Sequence, residues 1–270
     1  MKNLGIIGVG NMGSALLSGI CNSNLKKELS ILIYDVDRKK VEESKKAFDV
    51  REAENITELL KASEYTLLAI KPQDIDEFLK RYGDKIDSTS KLFITIAAGL
   101  KVKFYRKYLA KTNIARVMPN TPFLAGYGAS GIYFDGEISE EDKNLVIRIF
   151  ESGGIVEVVK KEALLDVVTG LSGSGPAFVF TFINSLADGG VFAGLSRDVS
   201  RRLAIQTVLG SAMLAQKENV HPEELKDRVT SPGGTTAAGL NALEEGNFRS
   251  SVIKAVIRAT ERAKELGENQ

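Results

Sequence analysis

A glycine loop within the first thirteen residues constrains this chain more than any other feature. Leu4 to Val9 is a short apolar run, Gly8-Val9-Gly10-Asn11-Met12-Gly13 closes it, and Ser14 to Ile20 continues as a helix. The loop fits G-x-G-x-x-G, which is weak alone but specific between a strand and a helix. Gly8 permits the tight turn, Gly10 lets backbone approach a pyrophosphate, and Gly13 lets the helix lie close on the strand. Free amides at the helix start, aided by the helix dipole, then hold the anion.

The rest of the first half alternates in the same way. Ile31 to Tyr34, Tyr65 to Ile70, Leu92 to Ile96 and Asn113 to Val117 read as strands, with Arg38 to Phe48 and Asp74 to Arg81 as helices between them. Gly126 to Phe134 and Ile155 to Val159 are candidate edge strands. Short continuous apolar strands separated by helices predict βαβ units and a parallel sheet buried on both faces. After Lys160 the strand-like runs stop. Helical periodicity takes over in Ala163 to Leu171, Pro176 to Ala193, Arg197 to Lys217, Pro222 to Val229, Thr236 to Glu245 and Phe248 to Leu266. The expected fold is an α/β Rossmann-type doubly wound sheet over residues 1–160, followed by an all-α C-terminal domain over 161–270. No Gly/Ser linker separates them, so the junction should be packed.

Composition narrows the partners. Lys and Arg number 36 against 35 Asp and Glu, so charge gives no reason to expect nucleic acid or an anionic membrane. One cysteine, Cys21, excludes an intrachain disulfide and fits a reducing, cytoplasmic compartment. Cys21 reads as a packing residue. One histidine and no Cys/His cluster argue against zinc, and no metal is expected. The first strand begins almost at once, leaving no room for a leader peptide. The most apolar stretch, Ala177 to Leu195, is broken by Asn184, Ser185 and Asp188, and reads as a buried helix rather than a membrane span. His221, before Pro222-Glu223-Glu224, reads as a helix-start residue.

Candidate site residues cluster where a doubly wound sheet binds ligands, beyond the carboxyl ends of its strands. Asp35 lies 22 residues past Gly13, near the ~20 expected of a carboxylate that meets the adenosine ribose. Such a carboxylate repels a 2′-phosphate and favours NADH, whereas the basic run Arg38-Lys39-Lys40 just after it suits a 2′-phosphate and NADPH. The sequence leaves that choice open. Asn55 heads a short helix as either a cap or an adenosine contact. Ala69-Ile70-Lys71-Pro72 ends one strand and Ala97-Ala98-Gly99 the next, where small residues leave room for a nicotinamide ring. Lys71 there is a surface lysine, a ribose contact or a group acting near substrate. Arg116-Val117-Met118-Pro119-Asn120-Thr121-Pro122 makes a rigid loop to which sequence physics assigns no chemistry. Leu171-Ser172-Gly173-Ser174-Gly175-Pro176-Ala177 reads as a connector between two helices, with Pro176 in the first turn of the second. Thr230-Ser231-Pro232-Gly233-Gly234-Thr235-Thr236 precedes a helix, and amides of Gly234, Thr235 and Thr236 would form a carboxylate cradle there. The hydroxyls of Ser231, Thr235 and Thr236 stand alongside it.

These motifs together resemble the pyrroline-5-carboxylate reductase family. The match covers nearly the whole chain: Ile7 to Gly13, Lys71-Pro72, Ile96 to Gly99, Arg116 to Pro122, Ser172 to Ala177, and Ser231 to Thr236 continuing to Gly239-Leu240. Five of the six prolines fall inside these motifs. The resemblance implies reduction of 1-pyrroline-5-carboxylate to L-proline with NADPH or NADH. It also implies a Rossmann domain followed by a helical domain that interlocks into homodimers, often assembled into a decamer with the active site at the dimer interface. Cofactor-binding positions implied are Ile7, Gly8, Gly10, Asn11 and Met12 for the pyrophosphate, and Ala69, Ile70, Lys71, Pro72, Ala97, Ala98 and Gly99 for the nicotinamide end. Glu162, Ser231, Gly234, Thr235 and Thr236 are implied on the substrate side, with the Thr236 hydroxyl near the ring nitrogen. Thr236 and Lys71 are the catalytic candidates. Two departures stand out. Asp35 occupies a position where NADPH-using relatives often carry a neutral or basic residue, and Arg228 one where relatives carry a smaller polar residue.

Two other readings compete. A β-hydroxyacid-type dehydrogenase would need a lysine acid/base in the helical half, where Lys160 and Lys161 stand just before the first helix. A dinucleotide-sensing module would explain the first half and leave the Ser231–Thr236 cradle without a role.

Overall fold

The computed structural model describes residues 1–268. Strands β1 (Lys2–Ile7), β2 (Leu29–Tyr34), β3 (Arg51–Glu52), β4 (Tyr65–Leu68), β5 (Leu92–Thr95), β6 (Asn113–Met118), β7 (Gly128–Asp135) and β8 (Gly154–Val158) form one sheet in the order β3-β2-β1-β4-β5-β6-β7-β8. Helices α1 (Asn11–Cys21), α2 (Arg38–Ala47), α3 (Ile56–Ala62), α4 (Pro72–Thr89), α5 (Val102–Tyr105) and α6 (Glu140–Glu151) connect the strands. Every pairing is parallel except β6 with β7. This is the doubly wound order, and the strand order reverses between β1 and β4, where such sheets bind ligands.

The sheet is covered on both faces, as its apolar strands require. Leu4 and Ile6 of β1 pack with Leu16, Ile20 and Phe150 on one face, while Ile7 joins Leu32, Leu60, Leu68 and Phe93 on the other. Leu16 is fully buried, so its truncation to alanine costs about 2–5 kcal/mol. Cys21 packs, half-buried, against the first of these clusters. At the amino-terminal edge of the sheet lies a buried polar group. Asp142 of α6 accepts bonds from Tyr65 (2.5 Å), Lys91 (2.8 Å) and Ser139 (2.6 Å). Burial raises the pKa of the Asp142 carboxyl, but the bonds from Lys91, Ser139 and Tyr65 outweigh it and hold it well below the usual carboxylate range.

After β8 the chain is helical: α7 (Leu164–Val168), a π turn at Thr169–Gly173, α8 (Gly175–Phe192), α9 (Arg197–Glu218), α10 (Pro222–Arg228), α11 (Thr235–Glu245) and α12 (Phe248–Glu268). Ser172 to Ala177, expected as a connector, instead lies in a nearly unbroken helical stretch. Ser174 donates to the Thr169 carbonyl five residues back, so the two helices are joined by a widened turn rather than a loop.

Among the described residues two compact units result, 1–174 with 257–268, and Gly175–Val256. The division falls beyond the expected boundary at 160/161 because α7 packs on β6 and β7, and the end of α12 belongs to the first unit. Within the second unit α8 packs on α9, Gly190 sits against Ser200, and the Phe182 and Phe248 rings lie 5.7 Å apart. Its apolar surface is otherwise largely open. Phe180, Leu203, Leu209, Met213 and Ile253 are all exposed, and Ala187 is the one buried residue of α8. The expectation of a buried helix at 177–195 therefore fails for the single chain. By length and composition alone, Leu164–Phe192 would suffice to cross a membrane. A folded helical array with so little core leaves its apolar faces to a partner surface.

Candidate active site

The glycine turn closes the carboxyl end of β1. Gly8 has φ +96°, donates its amide to the Tyr34 carbonyl at 2.8 Å, and lies so near β4 that an added Cβ would stand 2.6 Å from the Ala69 carbonyl oxygen. At Gly13 a Cβ would stand 2.1 Å from the Gly8 carbonyl oxygen, so only glycine lets α1 sit this close. Gly10 differs: an added Cβ meets nothing within 4 Å, and Gly10 is the N-cap of α1 with no side-chain cap bond. An uncapped helix start beside open space, with Asn11 exposed and Met12 half-buried, fits the pyrophosphate of a dinucleotide. Gly10, Asn11 and Ser14 also line a surface cavity of about 510 Å³.

Asp35 follows β2 directly and is locked to this turn. Its Oδ2 accepts the Val9 amide at 2.8 Å and its Oδ1 the Asp37 amide at 2.9 Å. Two of the basic residues after it, Arg38 and Lys40, are engaged as well. Arg38 donates to Glu52, which also takes Lys45 at 2.9 Å, and Lys40 lies 3.6 Å from Asp37. Neither Glu52 nor Val9 stood out in the sequence. Glu52 belongs to a two-residue strand with no periodicity, and Val9 acts through its backbone.

At the end of β4, Ala69 and Ile70 are half-buried, and Lys71 is the exposed N-cap of α4 ahead of Pro72. At the end of β5, Ala97 is buried, Ala98 exposed and Gly99 left-handed at φ +82°. An added Cβ on Gly99 would stand 3.8 Å from Leu266, so the end of α12 flanks this loop. The Asn55 side chain caps α3 by accepting the Glu58 amide at 3.0 Å.

Glu162 is tied into the first unit. Its Oε1 accepts the Arg116 guanidinium at 2.8 Å and the Val102 amide at 2.6 Å, with Arg116 almost wholly buried. Asn120, from the loop that carried no sequence assignment, joins two elements. Its Oδ1 accepts the Ala129 amide at 2.9 Å and its amide donates to the Ser172 carbonyl at 3.0 Å in the π turn.

In the second unit α11 begins at Thr235. Gly233 is left-handed at φ +68°, and the N-cap Gly234 makes no side-chain cap bond. The Gly234 amide donates to the Ser231 carbonyl, and the Ser231 hydroxyl would lie 2.3 Å from a Cβ on Gly234. The structure thus brings Ser231, Gly234, Thr235 and Thr236 together around an uncapped helix start, with Thr235 exposed and Thr236 half-exposed. Such a start suits a carboxylate. His221 caps α10, its Nδ1 accepting the Glu223 amide at 3.2 Å. Arg228 pairs with Glu224 at 2.6 Å and Glu218 at 3.5 Å.

Residues 162–266 match the family model described as pyrroline-5-carboxylate reductase dimerisation, and residues 3–99 match one described as NADP oxidoreductase, coenzyme F420-dependent. A pyrroline-5-carboxylate reductase of Methanosarcina acetivorans is 40% identical over 268 residues, 99% of this chain and 98% of the relative. One from Arabidopsis thaliana is 38% identical over 270 residues, covering 98% and 96%. The solved reductase of Coxiella burnetii superposes with a TM-score of 0.93 at 32% identity, with 98% of each chain covered. That of Plasmodium falciparum, solved with NADP bound, gives 0.83 at 35% identity over 98% of each chain.

Proposed function

The chain belongs to the pyrroline-5-carboxylate reductase family, and we propose that its glycine turn, strand-end loops and α11 start are the working parts of that activity. It reduces the C=N bond of 1-pyrroline-5-carboxylate with NAD(P)H and gives L-proline, a step of proline biosynthesis. The β-hydroxyacid and sensor readings are set aside, because the full-length relatives are reductases.

The cofactor-binding residues are Ile7, Gly8, Gly10, Asn11, Met12, Asp35, Asn55, Ala69 to Pro72 and Ala97 to Gly99. The free amides at the start of α1 take the pyrophosphate, and the small residues after β5 leave room for a flat ring. A bound reduced nicotinamide supplies the hydride. The Thr235 and Thr236 amides hold the substrate carboxylate against the positive end of α11, with Ser231 and Gly234 closing the cradle. The Thr236 hydroxyl orients the ring nitrogen, which keeps its proton as the imine carbon gains hydride. Lys71 acts at the ribose or near the substrate, and Glu162 lies on the substrate side through its hold on Arg116 and the start of α5. A protonated imine is already electrophilic, so positioning is the main contribution asked of the protein. One observation carries this reading: the uncapped start of α11, formed by Ser231 to Thr236 in a chain that matches the reductases end to end.

The chain is homo-oligomeric, since its dimerisation region carries the open apolar faces of α8, α9 and α12. We further propose that residues 161–270 act as the substrate-binding and dimerisation part, that dimers build a larger ring such as a decamer, and that the enzyme is cytoplasmic and free of membrane. Incubating purified enzyme with pyrroline-5-carboxylate and each reduced cofactor tests the activity. Proline should form as the cofactor is oxidised.

A further inference from the structure

We infer that this enzyme selects the dinucleotide lacking a 2′-phosphate, with Asp35 reading the adenosine ribose and Glu52 holding Arg38 away from it. This rests on the reductase reading and adds the specificity of its cofactor site.

A carboxylate offers about four acceptor positions. The Val9 and Asp37 amides occupy two on Asp35, one on each oxygen. Two remain, which matches the two hydroxyls of an unphosphorylated ribose at the end of β2. The same two amide bonds fix the carboxylate, so it cannot rotate away from an incoming phosphate. Placing a 2′-phosphate there sets two like charges side by side.

Binding such a phosphate would need a cation to replace that carboxylate, and two of the three nearby cations are engaged. Arg38, the first residue of α2, is held by Glu52 at the end of the neighbouring strand β3. Glu52 is half-buried, and its bonds to Lys45 and Arg38 keep its carboxyl below the ordinary range. Lys40 lies against Asp37. Lys39 contributes its amide to the Asp37 cap, and its side chain is exposed on the first turn of α2. The run that suits NADPH on composition is therefore committed to carboxylates of its own chain at two of its three positions.

Equilibrium dissociation constants for NAD⁺ and NADP⁺, measured by calorimetry on the assembled enzyme, test this independently of turnover. The wild type should bind NAD⁺ at least tenfold more tightly. Asp35→Ser should lower that ratio by at least tenfold, mainly by strengthening NADP⁺ binding. Glu52→Gln should lower it about two- to fivefold, the scale of an exposed ion pair, and Arg38→Ala in that background should restore it. Arg38→Ala and Lys39→Ala alone should leave the ratio unchanged. Tighter NADP⁺ binding by the wild type, or its loss on Arg38→Ala or Lys39→Ala alone, would overturn the inference. Absence of proline formation with either cofactor, despite normal NAD⁺ binding, would strike the reductase reading and leave the selectivity standing.

Discussion

The Oδ2 of Asp35 accepts the Val9 amide at 2.8 Å, so the residue that follows β2 and the turn that follows β1 are one rigid piece. The amide spent on Asp35 is not one of those at the start of α1, which stay free for an anion. Shape and binding are thereby divided among the three glycines of the turn.

Gly10 and Gly13 should separate under substitution. Gly10→Ala meets open space and has an ordinary φ of −68°, so its melting temperature should stay near wild type while dinucleotide affinity falls at least tenfold. Gly13→Ala drives a Cβ into the Gly8 carbonyl and should cost about 1–3 kcal/mol or more by overpacking. Thermal unfolding and calorimetric titration of both variants check the pair.

Thr236→Val removes a hydroxyl and keeps the shape and the amides of the α11 start. We expect kcat/KM for the imine to fall about 10- to 100-fold, in line with about 1.5–3 kcal/mol for a hydrogen bond to a charged group. The dinucleotide dissociation constant should not change. Steady-state kinetics alongside binding measurements show whether the loss is confined to the imine.

Asp142→Asn should lower stability by about 1–3 kcal/mol near neutral pH by weakening the bonds to Lys91, Ser139 and Tyr65. The folded-state pKa of Asp142 lies below its unfolded value of about 3.9. Its stabilisation is therefore present above that pH and is lost as pH falls below it. The gap in melting temperature between wild type and variant should hold from pH 6 to about 4 and narrow only as the pH falls from there toward the folded-state value.

Leu209→Glu with Met213→Glu places two charges one turn apart on the exposed face of α9. Light scattering should show the oligomer dissociating, with helical content preserved by circular dichroism. An unchanged mass would mean that this face is not part of the subunit interface.

Much of this was legible in the sequence because the physics is local. The apolar strands around the glycine turn announced a buried parallel sheet, and the glycines before Thr235 announced an open helix start. Helix α6 was missed although Ser139 caps it and accepts the Asp142 amide three residues on, a signal present in Ser-Glu-Glu-Asp. Strand β3 has two residues and exists only through pairing with β2. The π turn depends on Asn120, some fifty residues away, and no local pattern encodes that contact. Helix α8 read as core because a long apolar helix has the same composition whether its faces are buried within one chain or, as here, left open in it.

Purified enzyme given pyrroline-5-carboxylate and NADH, with proline quantified by chromatography as the reduced-nicotinamide absorbance falls, tests the central claim most directly. One L-proline should appear for each NADH consumed, and Thr236→Val should slow both together. Intact cofactor after prolonged incubation of folded, oligomeric enzyme with NADH and with NADPH would contradict it.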